Sequence, residues 1–230
     1  MDFDKDFYFG KIRISRHDNY PDRPTIVFLH DSLGCIELWQ QFPQRLGELT
    51  KCNVFTYDRL GYGKSGLFIS SKRNNDYMEI EAKNLSEILE KCSIDKAILF
   101  GHSDGGSISL IAGGKYPSRI LGIITEGAHI FVEDITLQGI IEAANKYRTT
   151  DLKTKLAKYH GDNTEQMFWA WASTWTTEVF KTWNIEHFLP LIKCPCLIIQ
   201  GDKDEYGTEL QVDRIMSQTN GKSTNLFYVK

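Results

Sequence analysis

Residues Gly101-His102-Ser103-Asp104-Gly105 place a serine between two glycines in the spacing G-x-S-x-G. A serine hydroxyl is a weak nucleophile and needs both exposure and a nearby base. The apolar run Ala97-Ile98-Leu99-Phe100 enters this turn directly, and helical spacing follows over Ser107–Lys115. Strand, tight turn and helix form the context in which such a serine stands exposed at the top of a sheet. The glycines remove side chains that would clash across the turn. The helix start aims N–H groups at the site, where they favour developing negative charge. The chemistry implied is acyl transfer through Ser103.

A second segment fits the same chemistry. His30-Asp31-Ser32-Leu33-Gly34 follows the apolar run Thr25–Leu29. A loop after an earlier strand supplies one oxyanion N–H, and the residue after the nucleophile supplies the other. The candidate donors are the backbone N–H groups of Ser32 and Asp104. His30 reads as an anchor of this loop beside the pocket rather than as a catalytic group.

These residues need a sheet to hold them. Thr25–Leu29, Asn53–Tyr57, Ala97–Phe100, Gly122–Thr125, Cys196–Ile199 and Asn225–Val229 are short, apolar and mostly without alternation, as expected for strands covered on both faces. Helical spacing occupies Glu37–Leu49, Tyr77–Cys92 and Ser107–Lys115. Tyr8–Ile14 predicts the start of an antiparallel strand or hairpin. The fold class is therefore α/β: a mostly parallel twisted sheet with helices on both faces. From about Phe131 to Leu189 only helical signals appear, including Gly139–Tyr147 and the aromatics Phe168, Trp169, Trp171 and Trp175. That predicts a core of residues 1–130 and 190–230 with a small helical cap at 131–189. Most of the cap aromatics read as its own core, and Trp171 as a residue facing substrate.

Composition narrows the class. The chain has 230 residues, enough for one sizeable core, with 41% hydrophobic and 25% charged residues. A formal charge of −3 gives no electrostatic support for nucleic-acid binding. No apolar run is long enough to span a bilayer, and the acidic start Met1–Asp6 lacks the features of a signal peptide. The five cysteines Cys35, Cys52, Cys92, Cys194 and Cys196 read as free thiols, with no metal site among them. A cytoplasmic protein with a small-molecule substrate and no cofactor is expected.

Together these motifs resemble the α/β-hydrolase superfamily over nearly the whole chain. The carriers are His30–Gly34, the Asp58-Arg59-Leu60-Gly61-Tyr62-Gly63-Lys64-Ser65 turn, the elbow at Ser103 and Gly201-Asp202-Lys203-Asp204 after a late strand. The resemblance implies Asp204 as the acid of a triad, with Asp202 and Glu126 as alternatives. Gln200–Thr208 with the Phe168–Trp175 aromatics resembles a bacterial branch that fixes no substrate. The family commonly has glycine where Asp31 stands, so the resemblance predicts an extra carboxylate near the oxyanion site.

In the family order the histidine comes last, yet none follows Asp204. The six are His17, His30, His102, His129, His160 and His187. The leading expectation is a chain that lacks the histidine loop and final helix. A substitute base is the second, with His129 favoured because it follows Gly122–Thr125; His129 and His102 are both expected in the substrate pocket, His102 pointing apart from Ser103 across the turn. The third is a hydrolase-fold binder without turnover. Loss of a terminal helix would bare apolar sheet surface and favour a homodimer. Gly61–Gly66 also matches G-x-G-x-x-G, but Asp58 replaces a Walker glycine and no helix opens directly after it.

Overall fold

The computed structural model describes residues 1–68 and 73–228. Eight strands form one sheet: β1 Asp2–Phe7, β2 Gly10–His17, β3 Thr25–Leu29, β4 Asn53–Tyr57, β5 Ala97–His102, β6 Ile120–Glu126, β7 Cys196–Gly201 and β8 Ser223–Tyr228. Their order is β1-β2-β4-β3-β5-β6-β7-β8. The first two pairings are antiparallel and the rest parallel. All the parallel strands therefore deliver their C-terminal ends to one edge, where loops can converge on a ligand.

Side chains alternate between the two faces. Val27 and Leu29 join the larger core, with Leu85 and Ile88 of α2 (Tyr77–Lys91) and Ile108 and Ile111 of α3 (Asp104–Lys115). Ile26 and Phe28 point the other way, into a smaller cluster with Phe100 and with Leu46 of α1 (Phe42–Thr50). Register carries that second face across Phe28, Phe100, Ile124 and Leu197, and then through Ile199 to Leu226. Ile124, Leu197 and Ile199 are only half-buried there, and Leu226 is exposed.

Between β6 and β7 lie α4 (Asp134–Thr149), α5 (Leu152–His160), α6 (Thr164–Trp175) and short 3-10 turns. Helix α7 (Glu209–Gln218) separates β7 from β8, its Thr208 side chain accepting the Leu210 N–H. No helix among the described residues is long and apolar enough to cross a membrane.

Several boundaries differ from the sequence reading. Asp2–Phe7 is a strand of its own, paired with β2 as a hairpin; its alternating carboxylates suit an exposed edge. The helix expected over Glu37–Leu49 is split. A 3-10 turn at Ile36–Trp39 ends at Gln40, in positive φ, and α1 starts with Pro43 in its first turn. Proline lacks the N–H that a continuing helix would need. Helix α7 carried no expectation, and α3 starts at Asp104 rather than Ser107. Val229, the end of the expected last strand, lies outside the described residues.

Candidate active site

Ser103 sits between β5 and α3 with φ 51° and ψ −119°, a conformation that costs energy for any side-chain-bearing residue. It is held there from both sides. Its N–H donates to the Glu126 carbonyl at 2.8 Å, and its carbonyl accepts from Gly106 and Ser107 to start the helix. The neighbouring glycines are steric necessities. A Cβ on Gly101 would lie 2.6 Å from the Gly106 nitrogen, and one on Gly105 would overlap the Leu29 carbonyl.

Ser103 borders a cavity of about 300 Å³ together with Asp31, Ser32, Leu33, His102, Gly127, His129, Trp171, Asp204 and Tyr206. Six of the expected site residues thus meet at one place: Ser103, Asp204, Ser32, His102, His129 and Trp171. Asp204 follows β7. Its carboxylate accepts from Gln200 Nε2 and from the Tyr206 N–H, each at 2.8 Å. Glu126 instead turns an exposed side chain away from this cavity.

One expectation is corrected. His30 does not line the cavity. It is buried behind the loop, where Nε2 accepts the Arg59 N–H at 3.0 Å and Nδ1 donates to the Asp31 carbonyl at 2.8 Å. Burial, then the Arg59 charge, holds its pKa well below the usual histidine range, so it serves as a neutral strut. His102 borders the same cavity as Ser103.

The extra carboxylate at Asp31 is neutralised locally. One oxygen accepts the Leu33 N–H at 2.6 Å, and the other lies 3.4 Å from His102 Nδ1. Burial alone would raise the Asp31 carboxyl, but the His102 hydrogen bond and charge, then the Leu33 N–H, bring it down to about 2. Burial likewise opposes charge on His102, yet the Asp31 hydrogen bond and charge outweigh it and raise its pKa. The Leu33 N–H is thereby spent, whereas the Ser32 N–H has no acceptor among the described residues. His129 has its Nε2 3.0 Å from the Tyr206 carbonyl, so that nitrogen carries a proton and donates.

The glycine-rich turn after β4 is closed on itself. The N–H groups of Gly61, Tyr62, Gly63, Lys64, Ser65 and Gly66 bond to Gly66, Arg59, His160 Nδ1, Asp58, Tyr62 and Lys11 respectively. None is left to cradle a phosphate. Burial pushes the central Asp58 carboxyl up to about 6.

Leu33, Gly127 and Tyr206 were not anticipated as lining. Tyr206 stands two residues past Asp204, and that proximity was its only sequence signal.

A family model described as the alpha/beta hydrolase fold matches residues 24–159. The human serine hydrolase BPHL is 31% identical over 212 residues, covering 88% of this chain and 70% of that protein. Its mouse counterpart is 30% identical, covering 80% and 65%. The chain thus spans about two thirds of these relatives' length. Among solved structures, MGS-M2, an alpha/beta hydrolase enzyme from a Medee basin deep-sea metagenome library, aligns with TM-score 0.77 at 18% identity, covering 98% of this chain and 89% of that one. The enol-lactonase from Burkholderia xenovorans LB400 aligns with TM-score 0.74 at 16% identity, covering 97% and 90%. Sheet order, elbow and sequence likeness agree, and the chain belongs to the α/β-hydrolase fold family.

Proposed function

We propose that this protein is a serine-nucleophile hydrolase of a small ester, thioester, lactone or carbon–carbon bond, acting through an acyl-enzyme on Ser103. The observation that carries this reading is the shared cavity: the strained, half-buried Ser103, Asp204 and Ser32 all border it. Oγ attacks the substrate carbonyl carbon, and the oxyanion is held by the Ser32 and Asp104 N–H groups. The tetrahedral intermediate collapses by breaking the C–O, C–S or C–C bond, and the leaving group takes up the serine's proton. Water then hydrolyses the acyl–Oγ ester to release the acid and restore the serine. Asp204 is the acid of the site. Residues 131–189 act as a helical cap that supplies Trp171 to the pocket wall. Five cysteines without a disulfide fit a reducing, cytoplasmic setting.

No histidine follows Asp204 in the sequence. Within these 230 residues, hydrolysis through Ser103 without a triad histidine is expected to be feeble. The test is hydrolysis of p-nitrophenyl acetate with fluorophosphonate labelling. Ser103→Ala is expected to abolish both; turnover that survives Ser103→Ala overturns the reading. A hydrolase-fold binder would show neither activity while retaining small-molecule affinity.

A further inference from the structure

Oxyanion stabilisation needs two peptide N–H groups held toward one point. The Asp31–Ser32 peptide is trans and planar, so whatever fixes its carbonyl also fixes the Ser32 N–H on the opposite side. Three donors reach that carbonyl: Arg59 Nη2 at 2.7 Å, His30 Nδ1 at 2.8 Å and the Gly34 N–H at 3.3 Å. Donors on the carbonyl also polarise the peptide and strengthen its N–H.

Arg59 touches the second donor's residue as well. Its Nη1 lies 3.6 Å from Asp104 Oδ2, both side chains being almost wholly buried. The same carboxylate accepts from Tyr77 OH at 3.0 Å, and Tyr77 OH accepts from Trp175 Nε1 at 2.9 Å. The Arg59 guanidinium packs 4.5 Å from the centre of the Tyr62 ring, while its Nε and Nη1 have no hydrogen-bond partner among the described residues. A buried cation with unfilled donors is expensive, and an apolar side chain of similar volume would fill the space at less cost.

We infer that Arg59, with His30, is a positioning residue: it grips the Asp31 carbonyl and the Asp104 carboxylate and so aims both oxyanion donors at one point. The inference rests on the reading of Ser103 as nucleophile. Arg59 touches no reacting atom and acts through the Asp31–Ser32 peptide and the Asp104 side chain.

The test compares the full chain with Ser103→Ala, Arg59→Lys and the double variant Arg59→Met/Asp104→Asn. Lysine keeps the charge but not the fork that reaches both groups. The double variant leaves no orphan buried carboxylate, which protects folding. In both Arg59 variants kcat on p-nitrophenyl acetate is expected to fall about 10- to 100-fold, less than the loss of a donor outright. KM stays within about twofold, because ground-state binding does not use the oxyanion donors. The Ser32 amide resonance, read by NMR without turnover, shifts in both. Folded variants with unaltered kcat and an unmoved Ser32 resonance overturn the inference. A Ser103→Ala chain that keeps its rate sinks the nucleophile reading instead, and the Ser32 resonance still decides Arg59. If neither Arg59 variant folds, His30→Ala carries the same comparison, since it removes one of the three donors to the carbonyl.

Discussion

The two walls of the cavity are built differently. On the wall of the proposed nucleophile, Ser103, backbone packs on backbone: Gly101 against Gly105 and Gly106, and Gly105 against the end of β3. A buried ion pair, Arg59–Asp104, lies behind it. The wall of the proposed acid, Asp204, hangs on part-buried side-chain hydrogen bonds. Asp204 is fixed by Gln200 and the Tyr206 amide, and a Cβ on Gly201 would meet nothing within 4 Å. The nucleophile wall is over-determined, as a strained residue requires. The acid wall can tolerate change, so substitutions there should alter chemistry more than folding.

Paired substitutions can break that contrast. The largest stability effect is expected from Asp104→Asn, which removes the buried ion-pair partner of Arg59, at about 3–5 kcal/mol in urea denaturation. On the acid wall, Asp204→Asn turns one accepted bond into a donor facing the Gln200 amide and should cost about 1 kcal/mol. Comparable losses at the two sites would refute the contrast. Next comes Gly105→Ala, expected to lose about 1–3 kcal/mol or more through overlap with Leu29. Gly201→Ala should stay within about 0.5 kcal/mol; thermal melts of the two variants make the comparison.

The smallest effects concern pH, and their signs differ. Burial lowers the pKa of His30 and His160 in the folded protein, so unfolding takes up protons. Their contribution is full above about pH 6.5 and is lost as pH falls toward the folded values. His102 is raised and Asp31 is lowered to about 2. Their pairing therefore adds most between about pH 4 and 6.5. It fades as His102 deprotonates above that window and as pH falls toward 2. His160→Gln should flatten the loss of stability just below pH 6.5, whereas His102→Gln should remove the gain that appears as pH falls toward 6.5 from above; identical pH–stability curves would contradict both assignments.

The sequence made the nucleophile wall legible because its constraints are local. A strand, a G-x-S-x-G turn and a helix within about twenty residues dictate where Ser103 stands. The parallel strands were legible for a similar reason: β3 and β4 begin and end where their apolar runs do. Helix α7 was hard to see because Leu210, Val212, Ile215 and Met216 are few and lie among polar residues, though Thr208 gave a cap signal. The edge strand β1 was missed because its charges mask a period of two.

Contacts between segments distant in the sequence were not legible. Nothing in the spacing pairs Asp31 with His102, sends Arg59 to both Asp31 and Asp104, or brings Tyr206 over His129. His30 shows the limit most clearly. Its type and position admitted an anchor or a pocket residue, and only the approach of the β4–α2 turn made it a buried strut. Sequence alone determined the fold class, the elbow and the serine, since local backbone preference and apolar periodicity are written residue by residue. Tertiary structure decided how the charges beside that serine are balanced, because pairing and burial depend on which distant segments the sheet brings to the same edge.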